Sequence, residues 1–336
     1  MITTKAVEEI LNSPKQIVIT SHHKPDGDAL GSSLAMYHWL KPKGHDVRVI
    51  VPSDFPNFLD WMPGRDEVRI YPAHKEANDQ FIAGADIIFC LDFNGLSRIN
   101  LMEAAVRASN ATKIMIDHHL DPEGFDDYRH WNSNASATAE LVYDFIANVM
   151  GEPEAITADI ADCLYTGIMT DTGSFRYSNT SPGVHRIVAD LIDRGARHWK
   201  IHEFIFNSAT ENRLKFLGYC LLHRLEVLRE YNTALFSVSR DDLERFNVGT
   251  GDTEGLVNYA LSLHGIRLAA LIIDRGELVK LSLRSLGDFP SNEVCATHFS
   301  GGGHRNAAGG NSWASLEDTV EQFKSILPIY KKRLTQ

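Results

Sequence analysis

The chain is expected to fold as an α/β protein, with a parallel-sheet domain first and a smaller α/β domain at the C-terminal end. Three observations point there. Strand and helix signals alternate through the first half, which is the pattern of a parallel sheet covered by helices. The texture changes after a polar-flanked segment near residues 207–230. The 336 residues, 43% of them hydrophobic, also suit two cores better than one. The expected boundaries are therefore 1–206 for the first domain, 207–230 for a connecting helix or linker, and 231–336 for the second domain.

In order, Gln16–Ser21 (QIVITS) is a short β-rich run, and Ala29 to Leu40 carries Leu30, Leu34 and Tyr37 at helical spacing. Lys43-Gly44 ends that helix. Asp46–Val51 (DVRVIV), Asp86–Leu91 (DIIFCL) and Lys113–Ile116 (KIMI) read as further strands, and Ser136–Val149 and Ile156–Met169 as helices. Ser181-Pro182 starts another helix, because Ser caps free N–H groups and Pro fits the first turn; Gly195 stops it. Glu211–Arg229 is a candidate connecting helix. Beyond it Thr233–Val238, Leu268–Ile273 and Leu278–Leu283 look like strands and Asp252–Leu263 like a helix. There is no internal repeat.

The formal net charge is -11, and charged residues make up 23% with no long like-charge run. Such a field repels a long polyanion, so small phosphorylated ligands met by local cations fit better than a long duplex. Met1–Pro14 lacks the apolar stretch of a signal peptide, and no run approaches the ~20 apolar residues that span a bilayer. Cys90, Cys163, Cys220 and Cys295 lie far apart with no CxxC pair, as in a reducing compartment. The expectation is a cytoplasmic protein with no membrane partner.

Four segments carry the chemistry. Where the first strand gives way to a helix stands Ser21-His22-His23-Lys24-Pro25-Asp26-Gly27-Asp28-Ala29-Leu30-Gly31-Ser32. Ligands in open α/β sheets bind beyond the carboxyl ends of strands, and Pro25 and Gly27 suit a tight turn there. Asp92 ends a buried run, Asp117-His118-His119 ends Ile114-Met115-Ile116, and Asp171 follows the apolar stretch 164–169. Each acid alone reads as a cap or solvated turn. Together they read as Asp and His delivered to one edge of one sheet. Carboxylates with imidazole and no Cys suit Mn²⁺ or a similar divalent ion, and one carboxylate can bridge two ions roughly 3.5–4 Å apart.

These motifs, in this order over residues 17–185, resemble those of the DHH phosphoesterase family, named for the triplet that is Asp117-His118-His119 here. The resemblance implies two divalent ions, Mn²⁺ foremost with Mg²⁺ and Co²⁺ as alternatives. His22 and Asp26 would bind the first ion, Asp28, His118 and Asp171 the second, and Asp92 both. His119 would face the substrate phosphate and Asp117 would orient a histidine. His23 is extra to the pattern, and swapped ligation between His22 and His23 stays open. Ser300-Gly301-Gly302-Gly303-His304-Arg305-Asn306-Ala307-Ala308-Gly309-Gly310 looks like the glycine-rich motif of the DHH-associated C-terminal domain. Glycines let backbone N–H groups approach an anion. Gly301, Gly302, Gly303, His304 and Arg305 are accordingly candidate substrate-binding residues. So is Arg284, which matches the family's phosphate-contacting arginine, and Asn292 is a looser candidate for nucleotide contact.

What the resemblance implies for function is a catalytic domain and a substrate-gripping domain with the active site in the cleft between them. Such a hydrolase would release 5′-mononucleotides from short oligoribonucleotides (nanoRNA) and convert pAp to AMP, the water being activated by the ion pair. A homodimer is plausible on the same ground alone. Two other readings stay open: a phosphodiesterase for cyclic di-AMP or linear dinucleotides, and an inactive nucleotide-binding sensor. The glycine-rich motif speaks against a pyrophosphatase.

Overall fold

The computed structural model describes every residue except Thr250. The chain divides into two compact units, Met1–Ser208 and Ala209–Gln336.

The first unit holds six strands: β1 (Gln16–Thr20), β2 (Asp46–Val51), β3 (Val68–Ile70), β4 (Ile87–Leu91), β5 (Thr112–Asp117) and β6 (Tyr128–Trp131). Its helices are α1 (Thr4–Leu11), α2 (Gly27–Leu40), α3 (Lys75–Ala83), α4 (Glu103–Ala108), α5 (Thr138–Asp144), α6 (Ala158–Asp171), α7 (Pro182–Asp193) and α8 (His198–Phe206). All strand pairs are parallel, in the order β3-β2-β1-β4-β5-β6. Alternate residues serve two cores: Ile17, Ile19, Phe89 and Ile116 face α2, α5 and α6, while Val18, Ile88, Cys90 and Met115 face α3 and α4. That alternation, buried on both faces, explains why these strands read as continuous apolar runs. The order reverses between β1 and β4, so the chain leaves their carboxyl ends toward opposite faces and opens a crevice there.

α7 starts where its Ser-Pro pair places it, and α6 starts two residues after its expected Ile156. Ser181 Oγ accepts the Val184 N–H, and Thr157 Oγ1 accepts that of Ile160, which starts α6 at Ala158. Gly44 adopts φ 86° after a 3₁₀ turn that closes α2. The helix expected to run to Val149 is α5 followed by a π turn over Phe145–Val149. Strands β3 and β6 escape the sequence reading, being short and half polar.

The second unit comprises α9 (Glu211–His223), β7 (Leu225–Leu228), β8 (Thr233–Val238), α10 (Arg240–Arg245), α11 (Leu256–Leu261), β9 (Leu268–Asp274), β10 (Val279–Ser285), α12 (Ser291–His298), β11 (Gly302–His304), β12 (Ala307–Ser312) and α13 (Leu316–Thr335). Its mixed sheet runs β11-β12-β10-β9-β8-β7, with only β8–β9 parallel. Two expectations are corrected. The helix predicted over Glu211–Arg229 ends at His223. There Arg224 leaves the helix, pairs with Asp242 at 2.7 Å, and the chain continues as β7. The helix predicted over Asp252–Leu263 is confined to Leu256–Leu261, behind Gly255 at φ 79°. The glycine-rich segment is an antiparallel hairpin, β11–β12, with Arg305-Asn306 at its turn. Among the described residues, no helix is long and apolar enough to cross a membrane.

Candidate active site

The candidate residues of the first unit gather at the carboxyl ends of β1, β4 and β5. After β1 the chain turns through Lys24 at φ 58° into α2, whose N-cap is Asp26. Asp26 Oδ1 accepts the N–H groups of Asp28 and Ala29, so the helix start fixes this carboxylate. Asp28, one position inside the helix, is fully buried. Its Oδ2 accepts the Thr138 N–H at 2.6 Å and its Oδ1 the Ala139 N–H at 2.8 Å, both from the first turn of α5. Gly167 of α6 passes so close that a Cβ there would lie 2.7 Å from Asp28 Oδ1.

Asp92 follows β4 directly and has φ 66°. A left-handed backbone at a non-glycine residue is a costly conformation that cores hold only where the side chain is needed in one place. Its two oxygens face two different imidazoles: Oδ2 lies 3.3 Å from His22 Nε2, and Oδ1 lies 3.5 Å from His118 Nε2. Thr138 Oγ1 donates to Oδ1 at 2.9 Å and holds the carboxylate from behind. Asp26 Oδ1 stands 3.9 Å from His22 Nε2; Asp28 Oδ2 and Asp171 Oδ2 stand 3.8 Å and 3.4 Å from His118 Nε2. Asp171 comes from the end of a helix, α6, and the other three clusters come from strand ends.

The two imidazoles turn the same nitrogen inward. His22 Nδ1 is engaged by its neighbour's carbonyl (His23 O, 3.0 Å) and His118 Nδ1 by Ala135 O (3.3 Å). A ring whose Nδ1–H donates to a carbonyl leaves Nε2 as the lone-pair donor, the tautomer a metal ligand needs. His22, and not His23, supplies the ring nitrogen facing Asp26 and Asp92. Beside them Asp117, fully buried, takes His119 Nδ1 at 2.8 Å, so the histidine that Asp117 orients is His119.

Potential donor atoms of His22, Asp26 and Asp92 lie within 4.8 Å of one another, and so do those of Asp28, Asp92 and His118. A third such group, Asp92, Asp117 and His119, includes the Asp117–His119 pair already bonded to each other. The electrostatics fit a cation. Burial and the neighbouring Asp92 charge push Asp28 up to about 8, and burial and Asp28 raise Asp171 well above the carboxylate range. Burial works against charge on His22, yet its bond to Asp92 and the nearby Asp26 and Asp92 charges lift it to about 9, with Arg98 opposing. His118 is raised in the same way, and the two imidazoles hold Asp92 well below its ordinary value. Crowded carboxylates that retain protons unless positive charge arrives are a site built for divalent cations. All-oxygen-and-imidazole donors agree with that.

In the second unit Arg284 on β10 pairs in register with Ala307 on β12, which pairs with His304 on β11. Directly opposite residues share a face, so Arg284 and His304 stand on one face of the sheet, opposite to that of buried Leu283. Gly303 has φ 133°, and a Cβ at Gly301 would lie 2.0 Å from Gly309 O, so both glycines serve close backbone approach within the hairpin. Gly302 has open space around it. The Arg305 guanidinium donates to Asp288 O at 2.7 Å and pins the loop before α12. Asn292 Oδ1 is buried without a hydrogen-bond partner among the described residues.

Sequence reading missed Thr138 and Arg98. Arg98 Nη2 lies 3.4 Å from His119 Nε2. Neither residue belongs to an acid or histidine motif, and each reaches the site from a turn or helix start distant in sequence.

The N-terminal domain of the DHH family matches residues 16–168. The bifunctional oligoribonuclease and PAP phosphatase NrnA of Thermus thermophilus is 30% identical over 99% of this chain and 94% of its own length. A probable enzyme of the same name from Streptococcus mutans is 26% identical over 97% of this chain and all of its own. The crystal structure of an exopolyphosphatase-related protein from Bacteroides fragilis superposes with a TM-score of 0.94 at 40% identity, over 99% of this chain and 97% of that one. The α/β sheets, the converging acids and histidines, and relatives that match from end to end place the chain in the DHH family.

Proposed function

We propose that the protein is a metal-dependent phosphoesterase that hydrolyses short oligoribonucleotides to nucleoside 5′-monophosphates and removes the 3′-phosphate of pAp to give AMP. The observation that carries this is Asp92: one buried carboxylate directs one oxygen toward the His22 side and the other toward the His118 side. Full-length similarity to the Thermus thermophilus oligoribonuclease and PAP phosphatase supports the substrate class.

Two divalent cations, Mn²⁺ before Mg²⁺ or Co²⁺, suit these donors and when bound supply Lewis-acid polarisation and a more acidic water. His22 and Asp26 would hold one ion, Asp28, His118 and Asp171 the other, and Asp92 would serve both. In hydrolysis water adds across the P–O3′ bond: its oxygen joins phosphorus, the bond to O3′ breaks, and O3′ takes a proton. His119 presents Nε2 to the phosphate while Asp117 fixes the ring through Nδ1. Arg284, His304 and the glycine-rich hairpin bind the substrate away from the scissile bond. Arg305 adds its cation at the hairpin turn, where it also donates to Asp288 O.

The test is a Mn²⁺-supplemented panel of di- to pentaribonucleotides, long RNA, pAp, cyclic di-AMP, pApA and pyrophosphate, compared by kcat/KM. Highest turnover on two- to five-mers, with pAp cleaved, is expected. Preference for cyclic di-AMP moves the protein to signalling, and bound metal with no turnover makes it a sensor.

A further inference from the structure

We infer that Arg98 is a phosphate-contacting residue of the catalytic unit, its guanidinium taking a non-bridging oxygen of the scissile phosphate beside His119. This rests on the phosphoesterase reading of that site and adds a residue that the acid and histidine motifs do not contain.

The placement begins in the turn that follows β4. Leu96, Ile99 and Met102 of this turn are buried in the core under the sheet, and Glu123 Oε2 accepts the Leu96 N–H at 2.8 Å. Arg98 lies between those anchors and only partly buried, so its side chain is directed away from the core. Its carbonyl accepts the His23 N–H at 2.8 Å, which ties the turn to the loop carrying His22 and Asp26. The backbone of Arg98 is thus fixed by the core on one side and by the metal-ligand loop on the other.

The side chain has unused capacity. A guanidinium carries five donors and no acceptor. Arg98 has one side-chain contact, Nη2 to His119 Nε2 at 3.4 Å, and pairs with no carboxylate among the described residues. Arg107, Arg129 and Arg197 of the same unit are each held by an Asp or Glu within 2.9 Å. The partner ring is itself held by Asp117 at 2.8 Å, so its Nε2 accepts from Arg98 and the donors left over are those of Arg98. Carboxylates abound nearby, yet they converge on His22 and His118 and leave this cation alone. A partly buried arginine without a counter-ion, beside a histidine aimed at a phosphate, is complementary to a tetrahedral oxyanion, which it can meet with two parallel N–H bonds. The need is also plain: a chain of net charge -11 must attract a phosphate to a pocket of acids, and Arg98 places a permanent positive charge at its rim.

The test uses the full-length protein loaded with Mn²⁺, as wild type, Arg98→Ala, Arg98→Gln and Arg98→Lys. Calorimetry measures Mn²⁺ stoichiometry and the affinity for inorganic phosphate and AMP, and turnover of a diribonucleotide is followed in parallel. Loss of a charge-assisted bond predicts phosphate and AMP affinity lower by about 10–100-fold in Arg98→Ala and Arg98→Gln. Arg98→Lys should fall between them and the wild type, Mn²⁺ stoichiometry should stay unchanged, and added guanidinium should restore part of the Arg98→Ala turnover. Phosphate affinity equal to wild type in Arg98→Gln, whatever its turnover, overturns the inference, because a residue that only props His119 would behave so. Loss of Mn²⁺ binding in all three variants also overturns it. A wild type that binds phosphate through Arg98 but cleaves no oligonucleotide sinks the proposed function and leaves this inference standing. A wild type that binds no phosphate sinks the inference.

Discussion

Asp92 has a left-handed backbone at φ 66°, and its side chain is held by Thr138 Oγ1. Thr138→Val removes the 2.9 Å bond to Asp92 Oδ1 while preserving shape. Outer partners of metal ligands typically tune affinity strongly, so Mn²⁺ affinity measured by calorimetry should drop about 10–100-fold with the fold intact. Asp117→Asn tests a different link. It weakens the bond that fixes His119, and kcat should fall on the order of 10²-fold with Mn²⁺ stoichiometry unchanged. The acids and histidines that converge here are those that motif order singles out, because a strand end followed by Asp or His is visible in one dimension. Thr138 and Arg98 are invisible for a physical reason: each acts through a three-dimensional approach, one from the first turn of α5 and one from a 3₁₀ turn, with no spacing rule to announce it.

At the level of elements, α2 and α6 pack closely enough that glycine is required between them. A Cβ at Gly167 would lie 2.6 Å from Ala139 Cβ and 2.7 Å from Asp28 Oδ1. Overpacking such a contact costs about 1–3 kcal/mol, so Gly167→Ala should lower the melting temperature and weaken metal binding together. A surface-only change would move neither. In the second unit, α10 is closed by a capping box between Ser239 and Asp242, and Asp242 also receives Arg224 from the end of α9. Burial pushes the Asp242 carboxyl up, but the Arg224 guanidinium and the cap hold it at about 2, below its ordinary 3.8. A depressed carboxyl stabilises fully above its unfolded value and loses that contribution as pH falls through the folded one. The stability gap between wild type and Asp242→Asn should therefore be widest above pH 4 and close as pH falls toward 2, read by thermal melts across that range. The start of α7 at its Ser181 cap was legible in the sequence, whereas α1, α10 and α13, capped by Thr3, Ser239 and Ser315, were not anticipated. Strands β6 and β11–β12 were not anticipated either: YRHW is a polar edge strand, and glycine carries no β signal although the hairpin needs its lack of a side chain.

For the whole molecule, the division after Ser208 follows the change from parallel to mixed sheet. The alternation of strands and helices made the first sheet legible. The segment 207–230 was harder to read, because α9 buries Phe216 and Cys220 in the second unit and so carries the periodicity of a packed helix. A net charge of -11 disfavours long polyanions, and kcat/KM should be higher for diribonucleotides than for long RNA. We propose that one carboxylate, Asp92, serves two cations whatever the substrate. The measurement that bears on it most directly is Mn²⁺ stoichiometry by calorimetry, with turnover of a diribonucleotide, in the wild type and in Asp92→Asn. Two ions bound and metal-dependent hydrolysis are expected in the wild type, with weakening at both sites and loss of turnover in Asp92→Asn. Two ions bound with unchanged affinity and undiminished hydrolysis in Asp92→Asn would contradict it.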